Sequence, residues 1–500
     1  MGRVAIVGAG LGGLAAAIRL QAEGHEVSLI EKREKVGGRA YQFQQNGYTF
    51  DMGPTIVTAP NLLEDLWRSA GRDFHQDVRL VEMAPSYRIC FADGRHFDYG
   101  GSDAEVVAQI AKFNPADVDG YRRFMQATSH IYRRAFEDLA GQPFHRLATF
   151  LSVVPELLRL NAVQSVYDFV SRYIQDPYLR MVFSFHPLFI GGNPFRASAI
   201  YAIVPYLERE GGVHYALGGT YSIVEAMCRL FESLGGEVRT STAVEEVIVD
   251  EYARAQGVLL EGGGRILTDA VVVNADVATT YLKLVPKRFR RWMSDARIKR
   301  LGQSMSCYLL YLGLDRQYPQ LRHHTVIMAD RYRGLIGDIF DGHGLADDFS
   351  LYLHTPTRTD PAMAPEGCEA MYVLAPVPHL GRGIDWLKES PAFRDRLIQF
   401  LENDFGLEGL SSAIKVERRF TPLDFRDELS SYLGSAFSIE PTLLQSAWLR
   451  PHNKSEDIKD LYLVGAGTHP GAGIPGVLLS AKITAELVSG EHPLANRRVA

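Results

Sequence analysis

Cysteine is scarce, and the four present, Cys90, Cys228, Cys307 and Cys368, lie far apart with no close pair. This excludes a zinc ribbon, a redox dithiol and a dense disulfide framework, and it fits a reducing, cytosolic setting. Basic tracts of five or more residues are missing too, and 53 Lys and Arg against 59 Asp and Glu leave a net charge of -6. Such a chain has no electrostatic footprint for a nucleic-acid backbone, so nucleic acid is not an expected partner. No apolar run reaches the roughly 18 residues of an integral span, which leaves attachment to a membrane surface open. His186, His323, His324, His354, His379 and His469 are scattered, with no His-x-x-x-His pair of the kind that makes a helical metal site, so no metal is expected. His323 and His324 are consecutive; on a strand they would face opposite sides, each as a hydrogen-bonded structural residue.

What is present is a chain of 500 residues, 46% hydrophobic, enough for two or three domains with large cores. Its apolar start could imitate a secretory signal, but it lacks a basic n-region and a small-residue cleavage site, and its glycines have a phosphate-loop spacing. Val4–Val7 is a β-branched run, followed by Gly8-Ala9-Gly10-Leu11-Gly12-Gly13 and a helix-forming stretch from Leu14 to Ala22. In this strand, turn and helix, Gly8 permits the turn, Gly10 lets a pyrophosphate approach the backbone, and Gly13 lets the helix pack on the strand. The helix N-terminus offers unpaired N–H groups to the anion. A second strand, Glu26–Ile30, ends on Glu31, with Lys32 beside it, where an acid can accept from a ribose hydroxyl. Val36-Gly37-Gly38-Arg39 then follows, either as a turn with a surface arginine or as a guanidinium aimed at a phosphate of a long dinucleotide.

Nucleotide-domain elements return after residue 210: a helix from Ser222 to Leu234 and strands at Glu237–Arg239, Val244–Val249 and Ala270–Asn274. Near the end a strand, Leu461–Val464, runs into Gly465-Ala466-Gly467-Thr468-His469-Pro470-Gly471-Ala472-Gly473-Ile474-Pro475-Gly476-Val477. A second dinucleotide fingerprint is disfavoured, because Pro470 has no N–H and no acid-terminated strand follows. Five glycines in this stretch suit backbone lying against a flat ring system, with a helix starting near Val477 directed at its electron-rich edge. A plain glycine-rich loop before a terminal helix is the other reading.

Gly8 to Gly13, Glu31, Gly37-Gly38-Arg39 and Phe50-Asp51-Met52-Gly53-Pro54 resemble the FAD-binding start shared by flavin amine oxidases, carotenoid desaturases and Rab escort proteins. The stretch from Gly465 to Val477 is similar to the closing signature of the bacterial phytoene-desaturase family, and the resemblance continues through Phe183–His186, Gly191–Phe195, His323–Val326, Phe349–His354, Ala375–Gly381 and Gly434–Phe437. It covers nearly the whole chain. The resemblance implies FAD, with Arg39 near its phosphates, Asp51–Pro54 and Gly473–Val477 beside the flavin, the backbone of the strand around Val247 on the adenine and Asp276 where the chain leaves the FAD domain. The implied fold is α/β: a Rossmann-like, doubly wound FAD domain from 1–80, 211–280 and 446–500, and a mixed-sheet substrate domain from 81–210 and 281–445. A helical, membrane-facing cap near 115–205 completes it.

The implied reaction is stepwise desaturation of phytoene, an apolar C40 polyene, toward neurosporene or lycopene, with oxygen or a membrane quinone reoxidising the flavin. The implied location is the cytoplasm, on the inner face of the cell membrane. Such a substrate binds through apolar burial, about 25 cal/mol per Å², and Phe144–Leu160, Tyr167–Ile174 and Val182–Ile190 offer walls for a tunnel or serve as ordinary core helices. The proton acceptor is harder to place. Positions charged in some relatives hold Thr149 and Ser152 here, and Asp51 is a candidate whose other reading is a cap on the Met52-Gly53-Pro54 turn. Other carotenoid oxidoreductases (a diapophytoene desaturase, a later-pathway desaturase, a carotene isomerase) remain open, as does a non-catalytic prenyl-binding escort. An amine oxidase would need an aromatic cage that no segment supplies.

Overall fold

Alternation dictates the first layer. In the strand Arg3–Val7, Val4 and Ile6 join one buried cluster while Ala5 and Val7 join another, so both faces are covered. The computed structural model describes residues 2–144, 147–159 and 162–493, with backbone alone for 147–149 and 156–158. The central sheet is wholly parallel, in the order Leu461–Leu463, Ala270–Val273, Arg3–Val7, Glu26–Ile30, Glu237–Arg239. Helices Leu11–Ala22, Tyr221–Ser233 and Ile474–Glu491 pack on the Val4 face. The opposite face meets Val247 and Val258 of a three-stranded antiparallel sheet, Val244–Val249, Ala255–Leu260 and Arg265–Leu267. Each fully buried Val or Ile here contributes about 1.5–3 kcal/mol.

A second layer is built on a seven-stranded mixed sheet in the order Ile414–Phe420, Ser306–Leu314, Glu369–Val377, Leu351–His354, His324–Met328, Tyr87–Phe91, His96–Tyr99. Its pairs are antiparallel except His324–Met328 with Tyr87–Phe91. Ser306–Leu314 is buried along its whole length, as a central strand covered on both faces must be. Helices between Asp103 and Gly211 lie over one face, where Phe124, Phe169, Phe183 and Tyr87 share a core. Among the described residues no helix is long and apolar enough to cross a membrane.

Candidate active site

Both glycine-rich loops converge on one amide. Asn274, just after the strand Ala270–Val273, donates from Nδ2 to the Gly8 carbonyl at 3.1 Å. A Cβ on Gly12 or on Gly465 would stand 2.8 Å from its Oδ1, and one on Gly10 3.1 Å from its Nδ2. Gly13 packs even closer, since a Cβ there would lie 2.0 Å from the Gly8 carbonyl oxygen. Gly8 itself has φ +97°, which side chains avoid.

These loops border a cavity of about 880 Å³. Gly8, Gly10, Gly12, Gly38, Gly53 and Pro54 line it, as do Gly473, Ile474, Pro475, Gly476 and Val477. Gly53 is forced by packing, because a Cβ there would be 2.0 Å from the Arg39 carbonyl oxygen. Two helices, Leu11–Ala22 and Ile474–Glu491, open onto the cavity from Gly10 and Gly473, and neither has a side-chain cap or an acidic residue in its first turn. Their orphan N–H groups therefore remain available to an anion or an electron-rich ring.

The charged lining agrees with that polarity. Arg39 donates to Ser431 Oγ at 2.7 Å, while its Nε has no hydrogen-bond partner in the protein and burial works against its charge. A buried guanidinium with a spare donor fits a diphosphate. Glu31 is buried and accepts from Ala9 N and Arg33 N at 2.9 Å each, with further lone pairs for a hydroxyl. Lys32 reaches Ser430 Oγ at 2.8 Å, and Asp276 accepts from Thr279 N and Ser438 Oγ. A glycine cradle, a buried cation with an orphan donor and two uncapped helix starts on one cavity are what a dinucleotide with a flat ring requires.

Several expectations are corrected. Val247 turns its side chain between the two sheets, and of its segment Ala243, Val244 and Glu245 border the cavity. Gly465 and Gly467 support the loops from behind, as the Asn274 contact and a Val277 Cγ2 at 2.6 Å from a Cβ on Gly467 require, while Gly13 packs its helix against the Gly8 turn as its spacing implies. Asp51 is not on the wall and does not cap Met52-Gly53-Pro54. Its carboxylate accepts from Thr220 N at 2.9 Å and Gln42 Nε2 at 3.2 Å, fixing Gly219-Thr220, and burial raises its pKa to about 6. Of the proposed walls, Phe144, Val153, Phe185, His186 and Leu188–Ile190 contribute, whereas Tyr167–Ile174 sends Phe169, Val170 and Ile174 into the core. The side chain of Thr149 lies outside the described residues, and Ser152 is not on the wall.

His323 and His324 do not face opposite sides. His323 precedes the strand that begins at His324, so alternation does not apply, and cross-strand register sets His324 opposite His354. The three rings lie within 5.4 Å of one another, centre to centre.

Away from the glycine loops the cavity is apolar, with Phe185, Phe189, Ile200, Leu207 and Leu309 in its wall. Among them sits an acid–imidazole pair that sequence reasoning missed. His186 Nε2 is 3.3 Å from Glu208 Oε2, and both side chains are at least 97% buried. Tyr87 donates its hydroxyl proton to Glu208 Oε1 at 2.6 Å. Neither His186 nitrogen has a hydrogen-bond partner in the protein. Arg450 was also missed; buried, it donates to the carbonyls of Thr468, Gln445, Ile439 and Ala466 and so shapes the terminal glycine loop.

The geometry can be set beside known proteins. Residues 11–489 match the family model of flavin containing amine oxidoreductases. The chain is 50% identical over 489 residues to the lycopene-forming phytoene desaturase of Pseudescherichia vulneris, covering 98% of this chain and 99% of that one. It is 48% identical to the lycopene-forming enzyme of Pantoea ananas, over 97% and 98% of the two chains. Among solved structures, an oxidoreductase from Methanosarcina mazei superposes with a TM-score of 0.67 at 16% identity, over 96% and 98% of the chains, which speaks to fold alone. The two uncapped helices and the buried arginine thus sit in a molecule whose relatives match it from end to end, and the chain belongs to the flavin containing amine oxidoreductases, in their bacterial phytoene-desaturase branch, as an FAD-dependent oxidoreductase.

Proposed function

We propose that the protein desaturates phytoene stepwise, through neurosporene to lycopene, in the 880 Å³ cavity. The reading is supported most by the join of two surfaces in that one cavity: a glycine-cradled cofactor face and an apolar wall that offers a hydrocarbon burial without hydrogen bonds. Arg39 and the start of Leu11–Ala22 hold the FAD diphosphate, Glu31 a ribose hydroxyl, and Gly473–Val477 the flavin edge. Once bound, FAD supplies the two-electron oxidant that accepts hydride. The chain handles the proton. With Nε2–H facing Glu208, His186 Nδ1 carries the lone pair that takes a proton from the carbon adjacent to the oxidised one. The carboxylate then stabilises the imidazolium, and Tyr87 holds the carboxylate. The helix Leu147–Arg159 bears Leu151, 58% exposed, close in sequence to wall residue Val153, and this supports docking on a membrane surface from which the substrate enters. Oxygen or a membrane quinone is the acceptor in this scheme.

The test is anaerobic incubation of FAD-loaded protein with phytoene in liposomes, following flavin bleaching and extracted products. Bleaching with neurosporene and then lycopene is expected. H186N should slow bleaching by about 10²–10⁴-fold while phytoene binding persists. Flavin that stays oxidised with phytoene would transfer the reading to another polyene, and a strict requirement for NAD(P) would refute the acceptor.

A further inference from the structure

We propose that His323, His324 and His354 bind a borderline first-row divalent cation of the zinc type, in a site one residue behind the cavity wall. The strands His324–Met328 and Leu351–His354 pair with His324 opposite His354, which puts both rings on one face. His323 enters from the segment before the strand, its carbonyl accepting from Thr355 N at 2.9 Å. One nitrogen from each ring can be chosen so that all three lie within 4.8 Å of one another.

The outer nitrogens are held in a way that frees the inner ones. His323 Nδ1 is 2.7 Å from Thr359 Oγ1. His324 Nδ1 is 2.6 Å from the Tyr352 hydroxyl, which is itself 2.6 Å from Thr55 Oγ1. If each Nδ1–H donates to its hydroxyl, both Nε2 atoms carry free lone pairs. Outer-nitrogen bonding of this sort orients metal-binding histidines. His323 Nε2 and His354 Nε2 then stand 3.1 Å apart, near the roughly 3.3 Å that separates ligands around tetrahedral zinc with 2.0–2.1 Å bonds. A shared proton would satisfy that pair but not His324 Nε2, which is buried with no hydrogen-bond partner in the protein. A cation satisfies all three.

The ligand set also selects the metal. Three imidazoles without a carboxylate suit zinc, cobalt or nickel rather than magnesium or calcium. Three protein ligands leave a fourth position for water. Tyr352 and Thr55 line the cavity, so the cation would stiffen the wall without touching its contents.

The test uses tag-free, FAD-loaded protein stripped with a chelator. Zinc bound at equilibrium is measured by mass spectrometry, and cobalt is titrated for its visible d–d bands. One ion per chain is expected, lost in H324A and H354A variants that still retain FAD. Y352F and T359V should weaken binding about 10–100-fold. Failure of the wild type to bind zinc or cobalt stoichiometrically would overturn the proposal, as would binding unchanged in both histidine variants. Should those variants not fold, Y352F and T359V decide: unchanged affinity in both overturns it.

Discussion

Replacing Asp51 with Asn isolates the cost of one buried charge. Asp51 is 3% exposed, and its hydrogen bonds do not offset its desolvation, so its pKa moves from an ordinary 3.8 to about 6. At 1.36 kcal/mol per pH unit, the ionised carboxylate costs the folded state about 3 kcal/mol. The sign follows from linkage. Between those pKa values the folded state binds the proton that the unfolded chain has released, so stability is fullest below about pH 4 and falls as pH rises through about 6. D51N keeps an acceptor for Thr220 N but confronts the Gln42 amide with a second donor, at a pH-independent cost of about 1 kcal/mol. Chemical denaturation of both proteins from about pH 3 to about pH 7.5 should show the stability of D51N relative to wild type rising by about 3 kcal/mol. At the acid end the variant should be the weaker protein. Parallel curves across that range would refute the reasoning.

Two further outcomes test the cofactor face. G13A places a methyl group 2.0 Å from the Gly8 carbonyl oxygen, so the purified variant should carry no FAD absorbance and should lose about 3 kcal/mol or more of stability. R450M strips donors from four carbonyls around the terminal glycine loop and should cost about 3 kcal/mol, read as a lower melting temperature and faster release of FAD.

Local pattern carried much of the fold into view. The run Val4–Val7, the helix after Gly10 and the strand ending before Glu31 are legible because strand alternation and phosphate-loop glycines act within a few residues. The terminal loop is legible for the same reason. What escaped reading depends on distant segments. Asp51 reads as a turn cap until the loop at Thr220 arrives to occupy its carboxylate. Val247 lies on an expected strand, but the pleat turns it toward the parallel sheet. Glu208 has no motif around it, and only folding sets it against His186. The histidine trio shows the limit most plainly: helical spacing says nothing of residues that register across a sheet brings together.

Asn274 has a consequence for how the molecule is made. Gly12 and Gly465, which meet over its amide, leave the ribosome on the order of 450 residues apart, roughly half a minute to a minute and a half at ordinary synthesis rates. Until the later segment emerges, the nascent chain has neither its edge strand Leu461–Leu463 nor the second uncapped helix. Full cofactor loading is therefore expected only once this segment has emerged, since a chain stalled before it would hold half of the cradle.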